Sequence, residues 1–177
     1  KIDLYIDFEK EFLPSDLKKL KKLIKRRLKK EPIQYIIGKT SFYGRDFNVD
    51  KNVLIPRPET EIIINVSIDF LSTKKNPNII DIGTGSGCIG ITLAKEFPLA
   101  QVTAIDYSES ILNVARENAR SLGVKNIEFV KLDFLKDNFN YLADLIVSNP
   151  PYIPNKEMSS LMIDVKEYEP HVALTDK

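Results

Sequence analysis

Residues 79–87 read Ile-Ile-Asp-Ile-Gly-Thr-Gly-Ser-Gly, and this stretch decides the fold of the chain. Its first half is an apolar run with the length of a buried β-strand, and its second half is a turn in which every other residue is glycine. A glycine-rich turn that leaves a buried strand is typical of a nucleotide site in an open α/β sheet. The residues expected to line that site are Gly83, Thr84, Gly85, Ser86 and Gly87.

The segments that follow this turn alternate between helix and strand patterns. We predict strands over 79–82, 102–105, 127–130 and 145–147, with helices over 89–96 and 111–122. Alternation at this spacing favours an α/β fold with a parallel, doubly wound, Rossmann-like sheet. Because parallel strands end at the same edge of a sheet, the residues that follow them face one crevice.

A second motif, Asn149-Pro150-Pro151-Tyr152, comes directly after the last of these strands. The two prolines fix the backbone and remove two N–H groups, so this edge is rich in hydrogen-bond acceptors. Tyr152 adds an aromatic face. Such a surface suits an –NH2 group that is held by its two hydrogens. A Pro-Pro turn that merely ends the strand is the alternative interpretation.

The glycine turn is compatible with two nucleotide ligands. Residues 85–90 fit the pattern G-x-G-x-x-G, and Asp106 follows about 20 residues later, where a carboxylate can bind ribose hydroxyls; this permits NAD. An acidic residue, Asp81, before three alternating glycines instead resembles motif I of class I S-adenosylmethionine-dependent methyltransferases. Those enzymes contact adenine after the third strand, where Asp133 and Phe134 lie; the alternative interpretation is a capping Asp and a core Phe.

The N-terminal part of the chain carries most of the positive charge. Residues 1–40 hold twelve Lys/Arg and six Asp/Glu, whereas the remainder holds 14 and 19. Apolar residues recur at helical spacing over 17–30, which predicts a helix with Asp16 as its N-cap. Its basic face is either solvated or a docking surface for RNA, a ribosome or an acidic partner. A hairpin with its turn over residues 43–46, in which Gly44 supplies the turn, and a helix from about Pro58 to Leu71 are predicted next.

The composition sets further limits on the protein. The chain has 177 residues and a single cysteine, Cys88, which excludes an internal disulfide and favours a reducing, cytoplasmic compartment. No apolar run reaches the roughly 20 residues that span a bilayer, so no membrane association is expected. The first residue is not methionine and the last follows an apolar stretch, from which we expect a fragment. The single histidine, His171, is interpreted as structural rather than as a general base.

Several motifs together resemble one family. They are Pro-Ile-Gln-Tyr within residues 31–38, Phe-Tyr-Gly at 42–44, Ile-Pro-Arg-Pro-Glu-Thr-Glu at 55–61, and Tyr-Glu-Pro-His-Val-Ala-Leu at 168–174, with the two motifs quoted above. They resemble the HemK/PrmC family of protein-glutamine N-methyltransferases, which modify the Gly-Gly-Gln glutamine of peptide-chain release factors. The family implies a helical remnant over 1–38, a hairpin and linker over 39–58, and a catalytic domain over 59–177 that lacks its last strands.

The resemblance also implies roles for the motif residues. S-adenosyl-L-methionine would lie on the glycine turn, with Asp106 on its ribose, Phe134 on its adenine and Asn149 near its methyl group, and S-adenosyl-L-homocysteine would be the product. Asn149, Pro150, Pro151 and Tyr152 would hold the substrate glutamine, and a release factor would be the partner. No metal and no obligatory nucleic acid are expected.

Two other classes of function stay open at this point. Adenine amino-methyltransferases of DNA or RNA share Asn-Pro-Pro-Tyr, but they flip a base out and usually surround the cleft with basic residues. Here the basic charge lies in the N-terminal part, and the catalytic part is net acidic. A binding module without activity is the third class, and it would be expected to lose the glycines or the asparagine.

Overall fold

A computed structural model of the chain describes residues 11 and 13–175. Three short 3₁₀ turns lie at Pro58–Thr60, Asn155–Ser160 and His171–Ala173. The helices and strands are, in chain order, α1 (Pro14–Leu28), α2 (Ile33–Ile37), β1 (Lys39–Phe42), β2 (Arg45–Asn48), α3 (Glu61–Leu71), β3 (Asn78–Ile82), α4 (Cys88–Glu96), β4 (Gln101–Asp106), α5 (Glu109–Ser121), β5 (Ile127–Lys131), β6 (Leu145–Ser148) and α6 (Ile163–Tyr168).

Strands β3 to β6 form a parallel sheet in the order β5-β4-β3-β6, which confirms the predicted α/β fold. The chain places β3, β4 and β5 side by side and then returns to add β6 on the other side of β3. The crevice at the carboxyl ends of β3 and β6 is therefore the topological switch point, where ligands bind in open α/β sheets. Each predicted strand of this sheet is correct to within one residue at either end.

One face of the sheet packs against three helices to form the main core. Along each strand, the side chains that enter this core alternate with side chains on the opposite face of the sheet, as the two-residue period of a β-strand requires. Among the described strands β6 pairs with β3 alone, and Ile146 on the opposite face is half exposed, so β6 forms an open edge. The buried side chains that join sheet and helices include Ile79, Val102 and Val147 from the strands and Ile64, Leu93 and Ala119 from α3, α4 and α5.

The hairpin β1-β2 packs into the same core through its two phenylalanines. Phe42 and Phe47 are buried and meet edge to face with ring centroids 6.1 Å apart. The prediction placed the turn over residues 43–46, but Phe42 pairs with Arg45, so the turn has two residues. Tyr43 and Gly44 both have positive φ, 48° and 70°, as a tight hairpin turn of this length requires.

The helix α1 begins earlier than predicted. Its N-cap is Leu13, and Pro14 occupies the first helical position, which needs no N–H donor, so the prediction of Asp16 as N-cap is wrong. None of the residues of α1 is buried, and Leu28 is 75% exposed. None of the helices in the described part of the chain combines the length and the apolar character that crossing a bilayer requires.

Candidate active site

The glycine turn after β3 is built on three left-handed residues. Gly83, Gly85 and Gly87 have φ values of 70°, 57° and 82°, a region that strains any residue with a side chain. The N–H groups of Gly83 and Thr84 both donate to the carbonyl of Ile105 at 2.9 Å, which fixes the start of the turn to β4. The alternation of glycines in the sequence thus follows from an alternation of backbone conformation.

The glycines of this region serve two different purposes. A Cβ atom at Gly87 would lie 2.6 Å from Cδ1 of Ile91, and one at Gly90 would lie 3.0 Å from Oδ2 of Asp81. These two glycines therefore allow α4 to pack closely. A Cβ atom at Gly85 would lie 4.0 Å from the carbonyl oxygen of Gly83, which is an ordinary van der Waals distance, so this position leaves room for a ligand to approach the backbone.

Asp81 lies beneath the turn and is 1% exposed. Its Oδ2 accepts hydrogen bonds from the Thr84 hydroxyl at 2.6 Å and from the Gly90 N–H at 2.9 Å. Burial raises the pKa of the Asp81 carboxyl to about 6. Its Oδ1 and the Ser86 hydroxyl are buried without a partner among the described residues. Orphaned polar atoms of this kind fit a ligand or a water that completes their hydrogen bonds.

Asp106 ends β4 next to the glycine turn, as predicted. It is 6% exposed, and its Oδ2 accepts a hydrogen bond from the Gly85 N–H at 3.1 Å. Burial raises the pKa of the Asp106 carboxyl, and the bond from Gly85 opposes that rise. The structure thus places a largely buried carboxylate directly against the turn, where it can accept hydrogen bonds from ligand hydroxyls.

Asp133, which follows β5, is engaged locally. Its Oδ1 accepts a hydrogen bond from the Leu135 N–H at 3.1 Å, and its Oδ2 accepts one from Lys136 Nζ at 2.8 Å. Both carboxylate oxygens therefore stabilise the loop, which agrees with the interpretation of Asp133 as a capping residue rather than an adenine ligand.

Phe134 belongs to an open aromatic cluster in the connection between β5 and β6. It is 43% exposed and meets Phe139 edge to face, with ring centroids 5.1 Å apart. Phe139 in turn contacts Tyr141, also at 5.1 Å. An aromatic side chain this exposed is not a core residue, so Phe134 offers a flat apolar surface after the third strand of the sheet.

The Asn-Pro-Pro-Tyr motif lies beside the glycine turn because of the strand register. Ser148 at the end of β6 pairs with Ile82 at the end of β3, and its hydroxyl donates to the Ile82 carbonyl at 2.8 Å. Asn149 therefore follows β6 next to Gly83. Its side-chain Nδ2 donates to the Thr60 hydroxyl at 3.4 Å, and this contact leaves the amide oxygen to accept a hydrogen bond.

The remainder of the motif is open to solvent but anchored behind. Tyr152 is 75% exposed, which is unusual for a tyrosine that has only a packing role. The next residue, Ile153, donates its N–H to the carbonyl of Leu174 at 2.9 Å, and Leu174 is buried. His171 bonds through Nε2 to the carbonyl of Lys166 at 2.7 Å, a contact within its own segment that agrees with the structural interpretation.

The sequence reasoning missed how the segment 57–61 holds the site together. Arg57 forms an ion pair with Glu169 at 2.6 Å, and Glu169 is 4% exposed. Burial raises the pKa of the Glu169 carboxyl and Arg57 opposes this rise. Thr60 contacts Asn149, and Glu61 accepts the N–H of Tyr43 in the hairpin turn at 2.7 Å. The signal available in the sequence was the density of polar residues around two prolines.

Comparison with known proteins gives two family matches. Residues 73–168 match the family described as methyltransferase domain, and residues 1–38 match the PrmC N-terminal domain. The chain is 44% identical to release factor glutamine methyltransferase of Chlorobaculum tepidum, over 98% of this chain and 63% of that protein. It is 41% identical to release factor glutamine methyltransferase of Fusobacterium nucleatum, over 98% of this chain and 49% of that protein.

The chain thus spans about half to two thirds of the length of these curated relatives. Among solved structures, the hMettl16 catalytic domain superposes with a TM-score of 0.58 at 20% identity, over 74% of this chain and 50% of that one. At 20% identity this superposition supports the fold alone.

Proposed function

This chain belongs to the methyltransferase-domain family, and we propose that it transfers a methyl group from S-adenosylmethionine to the side-chain amide nitrogen of a glutamine in peptide-chain release factors. The glutamine is that of the Gly-Gly-Gln motif. The resemblance to the HemK/PrmC family is confirmed by relatives that carry the name release factor glutamine methyltransferase. The release factor is the partner, and the cytoplasm, where release factors act, is the expected compartment.

The glycine turn and its neighbours support the assignment of the methyl donor. Gly83 and Gly85 leave space beside the backbone, and Asp106 presents a carboxylate to ribose hydroxyls. Phe134 offers an apolar face to adenine, and the buried Asp81 Oδ1 offers an acceptor beneath the turn. The donor supplies an electrophilic methyl group on a sulfonium sulfur.

The position of Asn149 is the observation that carries the proposal for the acceptor. The pairing of β3 with β6 brings the Asn149 side chain beside the glycine turn. Because its –NH2 group donates to Thr60, its amide oxygen is left to accept a hydrogen bond from the substrate. That oxygen and the Pro150 carbonyl can accept the two N–H hydrogens of a primary amide. Tyr152, which is exposed, can pack on the flat face of that amide.

The chemistry explains why acceptors are needed here. An amide nitrogen is a poor nucleophile because its lone pair is delocalised into the carbonyl. Acceptors on both N–H groups orient that lone pair toward the methyl carbon and stabilise the positive charge that develops on nitrogen. The N–C bond forms as the C–S bond breaks, which leaves S-adenosyl-L-homocysteine. The proton on nitrogen becomes acidic once the methyl group is attached and leaves to water, so no strong base is required.

The test is methyl transfer with labelled S-adenosylmethionine and the protein at its natural length. Label should appear on a release factor, and it should be lost when the Gly-Gly-Gln glutamine of that factor is replaced by alanine. Transfer to DNA or RNA but not to release factor would favour the adenine amino-methyltransferase instead. Donor binding without transfer to any of these substrates would indicate a binding module.

A further inference from the structure

The side chain of Asn118 on α5 makes three hydrogen bonds, and the residue is fully buried, at 0% exposed. Its Oδ1 accepts the N–H of Asn48 at 2.7 Å, and its Nδ2 donates to the carbonyl of Asn48 at 3.0 Å and to the carbonyl of Ser86 at 2.9 Å. One carboxamide thus links the last residue of β2 to the glycine turn. Both hydrogens of its –NH2 group are used.

The contact with Ser86 fixes the orientation of one peptide plane in the turn. The carbonyl of that plane points to Asn118, and the N–H on its other side, that of Gly87, donates to the Thr84 carbonyl at 2.8 Å. Because a peptide unit is planar, the two bonds together prevent its rotation. Ala115, one helical turn before Asn118, would lie 3.2 Å from a Cβ at Gly87, so the turn rests directly on α5.

The contact with Asn48 has the form of a β-bridge, because a side-chain amide pairs with both backbone groups of one residue. The hairpin is also fastened elsewhere: Arg45 forms an ion pair with Glu96 at 2.6 Å, and Glu61 accepts the N–H of Tyr43. Of these contacts, the one through Asn118 also reaches the glycine turn.

We propose that Asn118 is a positioning residue for the methyl donor, which holds the Ser86–Gly87 peptide in its binding conformation and ties the hairpin to it. The proposal rests on the proposed function in one respect, that the glycine turn binds the donor. An asparagine is required because the site asks for one acceptor and two donors. An aspartate would bring a second acceptor toward two carbonyls, and a serine is too short to reach both elements.

The experiment compares Asn118→Ala and Asn118→Ser with a matched control, Asn126→Ala. The Asn126 side chain likewise donates from Nδ2 to backbone carbonyls, those of Ala94, Phe97 and Ala100 at 3.1, 3.1 and 3.2 Å, but these lie at the C-terminal end of α4 and just after it, at the end away from the glycine turn. Calorimetry with S-adenosylmethionine should give a Kd about 10-fold or more higher in the Asn118 variants, because they lose the buried hydrogen bond to the Ser86 carbonyl in the glycine turn. In Asn126→Ala the melting temperature should fall while the donor Kd stays within about 2-fold.

Steady-state kinetics and the location of faster hydrogen exchange add readouts that distinguish this role from a general loss of stability. The Asn118 variants should raise KM for the donor more than they lower kcat at saturating donor. Without donor, amide exchange should become faster in both 45–49 and 83–88, whereas Asn126→Ala should leave these two segments unchanged.

Three results would overturn the proposal: an unchanged donor Kd in a folded Asn118 variant, an equal loss of donor affinity in Asn126→Ala, or faster exchange in the hairpin without faster exchange in the glycine turn. If Asn118→Ala does not fold, Asn118→Ser decides. Failure of the unaltered protein to bind the donor would contradict the proposed function, and the exchange comparison would still decide whether Asn118 ties the two segments.

Discussion

Replacing Gly85 or Gly87 by alanine should separate ligand binding from packing within one turn. Both residues have positive φ, so an alanine at either position should cost roughly 1–2 kcal/mol of backbone strain. At Gly87 the new methyl group would also lie 2.6 Å from Cδ1 of Ile91 and 3.2 Å from Cβ of Ala115. Ile91 is fully buried, so it has little room to move away.

Overpacking of a well-filled core costs about 1–3 kcal/mol. The unfolding free energy should therefore fall by about 2–5 kcal/mol in Gly87→Ala, and by about 1–2 kcal/mol in Gly85→Ala, where the new methyl group would lie 4.0 Å from the Gly83 carbonyl oxygen. Urea denaturation followed by circular dichroism measures both values.

Donor affinity should show the opposite order. The methyl group of Gly85→Ala would stand where the donor approaches the backbone, so its Kd should rise by about 10-fold or more, a loss of about 1.4 kcal/mol. Gly87→Ala, measured below its melting temperature, should lose less. Equal losses of stability in the two variants would refute the packing argument, and wild-type donor affinity in Gly85→Ala would refute the assignment of this glycine to the donor.

Four further predictions concern three side chains of the site and the basic face of α1. Asp106→Ala should weaken donor binding by about 1.5–3 kcal/mol in calorimetry, through lost charge-assisted hydrogen bonds. Asn149→Ala should lower turnover about 100-fold with little change in donor Kd, whereas Asn149→Asp should keep more activity if hydrogen-bond acceptance is what matters. Reversing Lys18, Lys22 and Lys25 to Glu should raise KM for release factor at low salt and leave donor affinity unchanged. Because burial raises the Asp81 pKa from 3.8 to about 6, the stability contributed by its protonation is complete below pH 3.8 and lost as the pH rises through 6. Relative to Asp81→Asn, the protein should therefore lose about 3 kcal/mol of unfolding free energy from pH 3.5 to 7 in urea titrations.

The parallel sheet and the meeting of the motifs could be predicted because local patterns determine both. Three of the four strands of the sheet, β3, β4 and β6, are short, mainly apolar runs that end at or just before Gly83, Asp106 and Asn149, and the bounds of all four were correct to within one residue. Once the strands are parallel, the residues after them must share an edge, so Gly83, Asp106 and Asn149 came together as expected.

The hydrogen-bond partners could not be predicted because tertiary packing chooses them. Asn118 lies on a helix face among apolar residues, and nothing local indicates that it reaches Asn48 and Ser86, 70 and 32 residues away. The prediction for Asp133 left two interpretations open for the same reason. The N-cap of α1 was wrong on a local point, since Pro14 can start a helix without any capping side chain.

The segment 57–61 shows what such hidden contacts achieve together. In the sequence analysis this segment contributed to the family resemblance, and no physical role was assigned to its polar side chains. In the structure three of its four polar side chains contact three different parts of the protein: Arg57 contacts the buried Glu169, Thr60 contacts Asn149, and Glu61 contacts the hairpin turn. A segment that is held by contacts to three parts of the protein has little conformational freedom, so it can hold the Asn149 amide in one orientation. Its precision matters because the proposed reaction depends on aiming a weak nucleophile, for which orientation contributes much of the rate.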